Sequence, residues 1–133
     1  LVMLEIHPWN NIRKQYPPAI LQNLVKAVGE QLQALARPLD VLCRISPNQF
    51  ILVTHQKSIE DCQDRSFHRF KEKLTTKRIK TPIGTLSVEV AMAIYAAETT
   101  RHQISSAELL ISNCIKVLNI AKTSGQIETG TLL

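Results

Sequence analysis

No apolar run in these 133 residues approaches the roughly 20 needed to cross a bilayer, so the chain reads as a soluble domain. Cysteine is scarce. Cys43, Cys62 and Cys114 are odd in number, far apart and without C-x-x-C spacing, so neither a disulfide framework nor a zinc site is indicated and reduced thiols are expected, two or more of them in the core. No internal repeat or low-complexity linker divides the chain, so a single domain is expected over 1–133. The opening LVMLEI has neither an initiator Met nor a signal peptide, and the expectation is a domain excised from a longer protein. Glycine is also rare, and none of the four lies in RISPNQF, residues 44–50, where a tight hairpin would normally use one.

The residues present are those of an ordinary globular protein, 44% hydrophobic and 20% charged, which removes the disordered and collagen-like classes. The formal net charge of +5 favours anionic partners without identifying any. Leu1 to Ile6 is an apolar strand ended by His7-Pro8. Pro17-Pro18 opens a helix whose Leu21, Leu24, Val25, Val28, Leu32 and Leu35 recur at helical spacing. A hairpin over 39–55 follows, and then a charged amphipathic helix marked by Ile59, Cys62, Phe67, Phe70 and Leu74. Leu86, Val88, Val90, Met92 and Ile94 alternate strictly, as in a strand with one face more buried than the other. Ser105-x-x-Glu108 is a capping-box pattern that opens a last helix running to Gly125, which suits the C′ position, and a closing strand can follow. The order strand, helix, strand, strand, helix, strand, helix implies an α/β or α+β sheet with helices packed on it.

Few residues invite chemistry. Glu5 and His7 lie at i and i+2 on one side of a strand, but two ligands with no third do not make a metal site, and an exposed strand-end pair is expected. His55, His68 and His102 have no ligand spacing, and no nucleophile–base arrangement can be read. Lys71, Lys73, Lys77, Arg78 and Lys80 form the most basic stretch. It lacks interleaved aromatics, so a solvated helix end is expected and no nucleic acid. The hairpin tip carries Pro47, which fixes φ and has no N–H, followed by two neutral amides, Asn48 and Gln49.

That hairpin, with four short segments in order, resembles the GGDEF or diguanylate cyclase family, which condenses two GTP into cyclic di-GMP. The tip Ser46, Pro47, Asn48, Gln49 and Phe50 stands at the GGDEF or GGEEF signature, of which only the Phe remains. LEIHPWNNIRK, residues 4–14, is similar to the family's LDIDxFKxIND, with Trp9 and Ile12 at its aromatic and aliphatic positions. RPLD, 37–40, resembles the Arg-x-x-Asp inhibitory site, five residues before Ser46, and AKTSG, 121–125, resembles the closing AKxxG. The resemblance implies an α+β, palm-like fold with a ferredoxin-like core. A central, mostly antiparallel sheet of about five strands is expected, in the order β-α-α-β-β-α-β-α with the closing strand.

The family holds Mg²⁺ between a carboxylate of the first strand and one of the signature turn. Glu5 stands at the first of these, a vestigial metal position, and Asn48 at the second, where a neutral amide cannot supply the charge. Pro47 replaces a glycine, Gln49 the second acidic group, and Arg13 and Gln22 stand where the family recognises guanine. The resemblance therefore implies a degenerate domain with no catalytic residue, no bound Mg²⁺ and no cofactor. Its expected role is regulatory, in cyclic di-GMP signalling, controlling an EAL phosphodiesterase domain of the same chain. The expected setting is cytoplasmic, in a protein anchored to the inner membrane, and the domain could also form a homodimer. A second expectation is a cyclic di-GMP receptor using Arg37, Asp40 and Lys122, although Gln126 replaces a frequent Arg, and Arg37 with Asp40 can equally be a surface ion pair worth about 0–1 kcal/mol. Residual GTP binding or cyclase activity is the third. Glu89, inside the alternating strand, has no functional account.

Overall fold

A computed structural model describes residues 1–56, 65–97 and 107–131. Its centre is the strand β1 (Val2–Ile6), every residue of which is buried. Only a strand covered on both faces reads as the near-continuous apolar run VMLEI. Next come the helices α1 (Trp9–Gln15) and α2 (Pro18–Leu35), the hairpin β2 (Val41–Ser46) and β3 (Gln49–Val53), and α3 (Arg65–Thr75). A small hairpin, β4 (Ile79–Thr81) and β5 (Gly84–Leu86), precedes β6 (Val90–Ala96), α4 (Ala107–Ser124) and β7 (Glu128–Thr131). The five-stranded sheet runs β2-β3-β1-β6-β7, antiparallel except where β7 lies parallel to β6. This is the expected mixed α/β architecture, with the closing strand present.

Strand alternation divides the core into two layers. Val2, Leu4 and Ile6 of β1 join Val90, Met92 and Ile94 of β6 under α2 and α3, which contribute Ile20, Leu24, Val28, Leu32, Phe67 and Leu74. Met3, Ala91, Ala93 and Tyr95 point the other way, under Cys114 and Leu118 of α4. The small side chains let α4 settle close to the sheet. Gly130 serves the same approach, because a Cβ there would lie 2.9 Å from both Tyr95 and Val117.

Several expectations need correction. The alternation in β6 is real, but both faces are buried; the interleaved alanines look permissive in sequence and are covered by α4. Leu86 belongs to the β4–β5 hairpin, whose three-residue strands are too short to register as a period, and Glu89 precedes β6 and is exposed. Cys114 is buried as expected, whereas Cys43 is exposed on the edge strand. Gly125 does follow α4 with φ +72° and donates its N–H to the Ala121 carbonyl at 2.9 Å. Ile59, Cys62, His102 and Ser105 lie outside the described residues. Among the described residues no helix is long and apolar enough to cross a membrane.

Candidate functional site

The polar side chains of interest converge on the end of β1. Glu5 is only 5% exposed, contrary to the expected exposed strand end. In the antiparallel register it faces Gln49 of β3, and Gln49 faces Ser46 of β2, so all three project from one face of the sheet. That face is the one α4 covers. The last turn of α4 brings Lys122 over it, and the ammonium lies 2.7 Å from Glu5 Oε2. Gln49 Nε2 donates to Glu5 Oε1 at 2.7 Å, and Ser46 Oγ donates to Gln49 Oε1 at 2.9 Å. His7 Nδ1 stands 4.0 Å from the same carboxylate.

The turn itself needs no glycine. Among the described residues no non-glycine residue has positive φ, so the tip is not one of the primed turns that suit a tight hairpin. Pro47 fixes its own φ, and the mismatch in twist is taken up by an irregularity in pairing between Arg44 and Ser46. Arg44 clamps the turn, donating from Nε to the Ser46 carbonyl at 3.2 Å and from Nη2 to the Pro47 carbonyl at 2.8 Å. Asn48 accepts the Ile6 N–H on its carbonyl at 2.9 Å and donates its amide to the Ile6 carbonyl at 3.4 Å. The amide at the second metal position is thus turned onto backbone.

Magnesium demands several oxygen ligands with net negative charge. Both oxygens of Glu5 are already occupied, one by a cation, and a divalent ion beside it would meet the Lys122 ammonium at close range. Among the described residues no three His, Cys, Asp or Glu side chains group together. The residues present do not fit the metal. Nor is there a thiol nucleophile in the layer below, since burial pushes Cys114 up to about 11.

Arg37 and Asp40 occupy the opposite end of the hairpin. Asp40 Oδ2 accepts the Arg37 backbone N–H at 2.8 Å, and its Oδ1 lies 3.6 Å from Arg37 Nε. Arg37 Nη2 donates to Thr54 Oγ1 and, at 2.6 Å, to the His55 carbonyl. The pair ties the α2–β2 turn to the end of β3. Lys122 stands with Glu5 and not with this pair, since the six-residue β2, roughly 20 Å long, separates the two ends. Arg13, Gln22, His55 and His68 are exposed, and so are Lys73, Lys77, Arg78 and Lys80 of the basic stretch, as expected of a solvated helix end. Lys71 reaches the Gly125 carbonyl at 3.2 Å.

The Asp40 side chain is 6% exposed and that of Arg37 55%, which ranks their substitutions. Asp40→Ala should cost about 1–2 kcal/mol, because it strips the acceptor from a turn N–H, and Arg37→Ala about 1 kcal/mol or less. Urea unfolding would measure both. Equal costs, or none, would contradict a structural tie.

The fold has well-populated company. The GGDEF domain of YfiN (TpbB) from Pseudomonas aeruginosa superposes with a TM-score of 0.80 at 16% identity, over 97% of this chain and 74% of that one. The active GGEEF domain of a diguanylate cyclase from Vibrio cholerae superposes at 0.74 with 11% identity, covering 99% and 82%. The diguanylate cyclase SiaD of P. aeruginosa, solved with its activator SiaC, gives 0.75 at 18% identity over 98% of this chain, which spans only 48% of SiaD. No curated protein matches the sequence significantly. The family model "Diguanylate cyclase, GGDEF domain" matches residues 1–128, and with the palm-like fold and the signature hairpin in place, the chain belongs to the GGDEF domain family, whose members are normally diguanylate cyclases of cyclic di-GMP metabolism.

Proposed function

We propose that this GGDEF domain is catalytically silent and acts as a regulatory and interaction module in cyclic di-GMP signalling, controlling an EAL domain in a longer parent chain. The observation that carries the reading is Asn48 at the second metal position, an uncharged side chain whose amide is turned onto the Ile6 carbonyl at 3.4 Å, while the one remaining carboxylate, Glu5, is paired with Lys122 at 2.7 Å. The rest of the site agrees with it. The turn offers a proline ring and two amides in place of a glycine pair and two carboxylates. Losing one preorganised catalytic group commonly lowers a rate by about 10²–10³, and metal binding, phosphate approach and base recognition are lost separately here. A Methylococcus capsulatus protein described as an EAL/GGDEF domain protein is among the structures of this fold, at 16% identity and a TM-score of 0.72, and supports a tandem setting by analogy.

The chain incubated with GTP and Mg²⁺ should form no cyclic di-GMP above a protein-free control. Mg²⁺ at about 10 mM should leave its thermal midpoint unchanged, since a ligand that does not bind the native state cannot stabilise it. Product formation would refute the proposal, and a Mg²⁺-dependent rise in the midpoint would refute its physical basis. The receptor alternative requires Arg37 to leave Thr54 and the His55 carbonyl. Cyclic di-GMP at concentrations up to about 100 µM should therefore give no heat on titration. Heat abolished by Arg37→Ala would move the function to that site.

A further inference from the structure

We infer that the β4–β5 hairpin and the basic residues that lead into it form a docking surface for an anionic lipid bilayer, with Ile83 at the hairpin tip entering the headgroup region. The inference goes beyond the regulatory role proposed above. It does not depend on the loss of catalysis.

The charge of the chain is not spread evenly. The stretch from Arg69 to Lys80 holds six Lys and Arg against one Glu, a net +5 that equals the charge of the whole chain, so the rest, with ten basic and ten acidic residues, is neutral. Arg69, Glu72 and Lys73 share the outer stripe of α3, and Lys77 and Arg78 continue from its end; all are exposed. Lys80 of β4 is exposed too, because it alternates with the buried Ile79. Lys71 alone is drawn aside, to the Gly125 carbonyl. Among the described residues no carboxylate pairs with the other five cations; the ion pairs of lysine and arginine form elsewhere, at Lys26–Glu30, Arg37–Asp40 and Lys122–Glu5. Five unpaired like charges repel one another and gain from an anionic surface.

Into this field the hairpin carries an apolar point. Its base is fixed, with Ile79 and Val88 buried in the core and Leu86 packed against it. Its tip is open. Pro82, Ile83, Gly84 and Thr85 are all exposed, Ile83 at 58%, and a Cβ added at Gly84 would meet nothing within 4 Å. The turn is nonetheless held in one shape. Pro82 fixes its own φ, Gly84 takes φ +128°, and Thr81 Oγ1 donates to the Gly84 carbonyl at 2.6 Å and accepts the Ile83 N–H at 3.3 Å. Thr81 pairs with Gly84 and Lys80 with Thr85, so Lys80 stands one residue rise, about 3.3 Å, behind the turn. A lysine at that depth keeps its ammonium among phosphates while its stem follows the isoleucine inward.

The shape selects the partner. A protein surface would need a pocket for Ile83 and carboxylates placed to meet cations on flexible stems, whereas a bilayer yields to a projecting aliphatic group and supplies anionic headgroups wherever the cations fall. Nucleic acid offers the charge but no apolar layer.

Cosedimentation of the 133-residue chain with vesicles of about 30% phosphatidylglycerol in phosphatidylcholine should show binding, with none to phosphatidylcholine alone and release by about 0.5 M NaCl. Ile83→Ser and Lys80→Glu should each weaken it about ten-fold. Lys116→Glu, the same charge change at an exposed position of α4, should alter it by about two-fold or less. All three replace exposed side chains, and an unchanged urea midpoint checks that each variant folds. In a Trp9→Phe background, Ile83→Trp should shift its emission to the blue on the anionic vesicles only. No binding at about 5 mM lipid, equal losses in Lys80→Glu and Lys116→Glu, an Ile83→Ser variant that binds like the parent, or a Trp emission that does not move would overturn the inference. Polyglutamate held through the same lysines without vesicle binding would also overturn it, by assigning the patch to an acidic protein. A chain that ignores the vesicles and forms no cyclic di-GMP would remove this surface and leave the proposed silence standing.

Discussion

Lys122→Met is expected to lower the stability of the domain by about 2–3 kcal/mol, the low end of the range for stranding one member of a buried ion pair, because the Lys122 side chain is still 28% exposed. The loss falls on Glu5. Its carboxylate would keep the Gln49 amide at 2.7 Å but lose its cation, within an otherwise apolar strand. Glu5→Gln alone should cost less, since the lysine can turn its ammonium to water. The double variant Glu5→Gln/Lys122→Met should return to within about 1 kcal/mol of the parent, because it removes both members of the pair together. Denaturant unfolding of the four proteins closes the cycle. Additive costs would show that the two groups do not act as a pair.

Leu118→Ala should be the costlier change, at about 3 kcal/mol with an unchanged denaturant slope. Leu118 is fully buried and sits between α4 and a sheet surface made partly of Ala91 and Ala93. Those side chains are already the smallest available, so they cannot grow into the space, and Gly130 holds the neighbouring strand too close to shift inward. A cavity that cannot collapse costs both the lost transfer energy and the lost packing. A thermal midpoint reduced by only a degree or two would mean that α4 repacks more freely than this contact surface suggests. Because α4 also carries Lys122, the same variant tests whether the helix must be seated for the Glu5 pair to form.

The fold was legible wherever a period runs through many residues. The stripe of α2 from Leu24 to Leu32, the apolar run of β1 interrupted only by Glu5 and the glycine after α4 each report a local requirement that the sequence states directly. Shorter or doubly covered elements were not legible. The three-residue strands β4 and β5 have too few positions to show alternation, and β6 alternates between large residues and alanines although both sides are buried. At the site, Glu5 was misread for a related reason: a carboxylate two residues before a His-Pro pair looks like the end of an exposed strand. Its neighbours in β3 and β6 lie far away in the chain, and only pairing shows that they enclose it.

By itself the sequence determined what is missing. A tip reading Ser46, Pro47, Asn48 and Gln49 has no carboxylate to offer a metal and no glycine to yield to a phosphate, because side-chain charge and backbone freedom are properties of residue identity. Which partner the Glu5 carboxylate found was decided only by the tertiary structure. The last turn of α4 crosses the face of the sheet that carries Glu5, and a cation and an anion near opposite ends of the chain became partners at 2.7 Å. Coulomb attraction depends on separation in space, and folding set that separation.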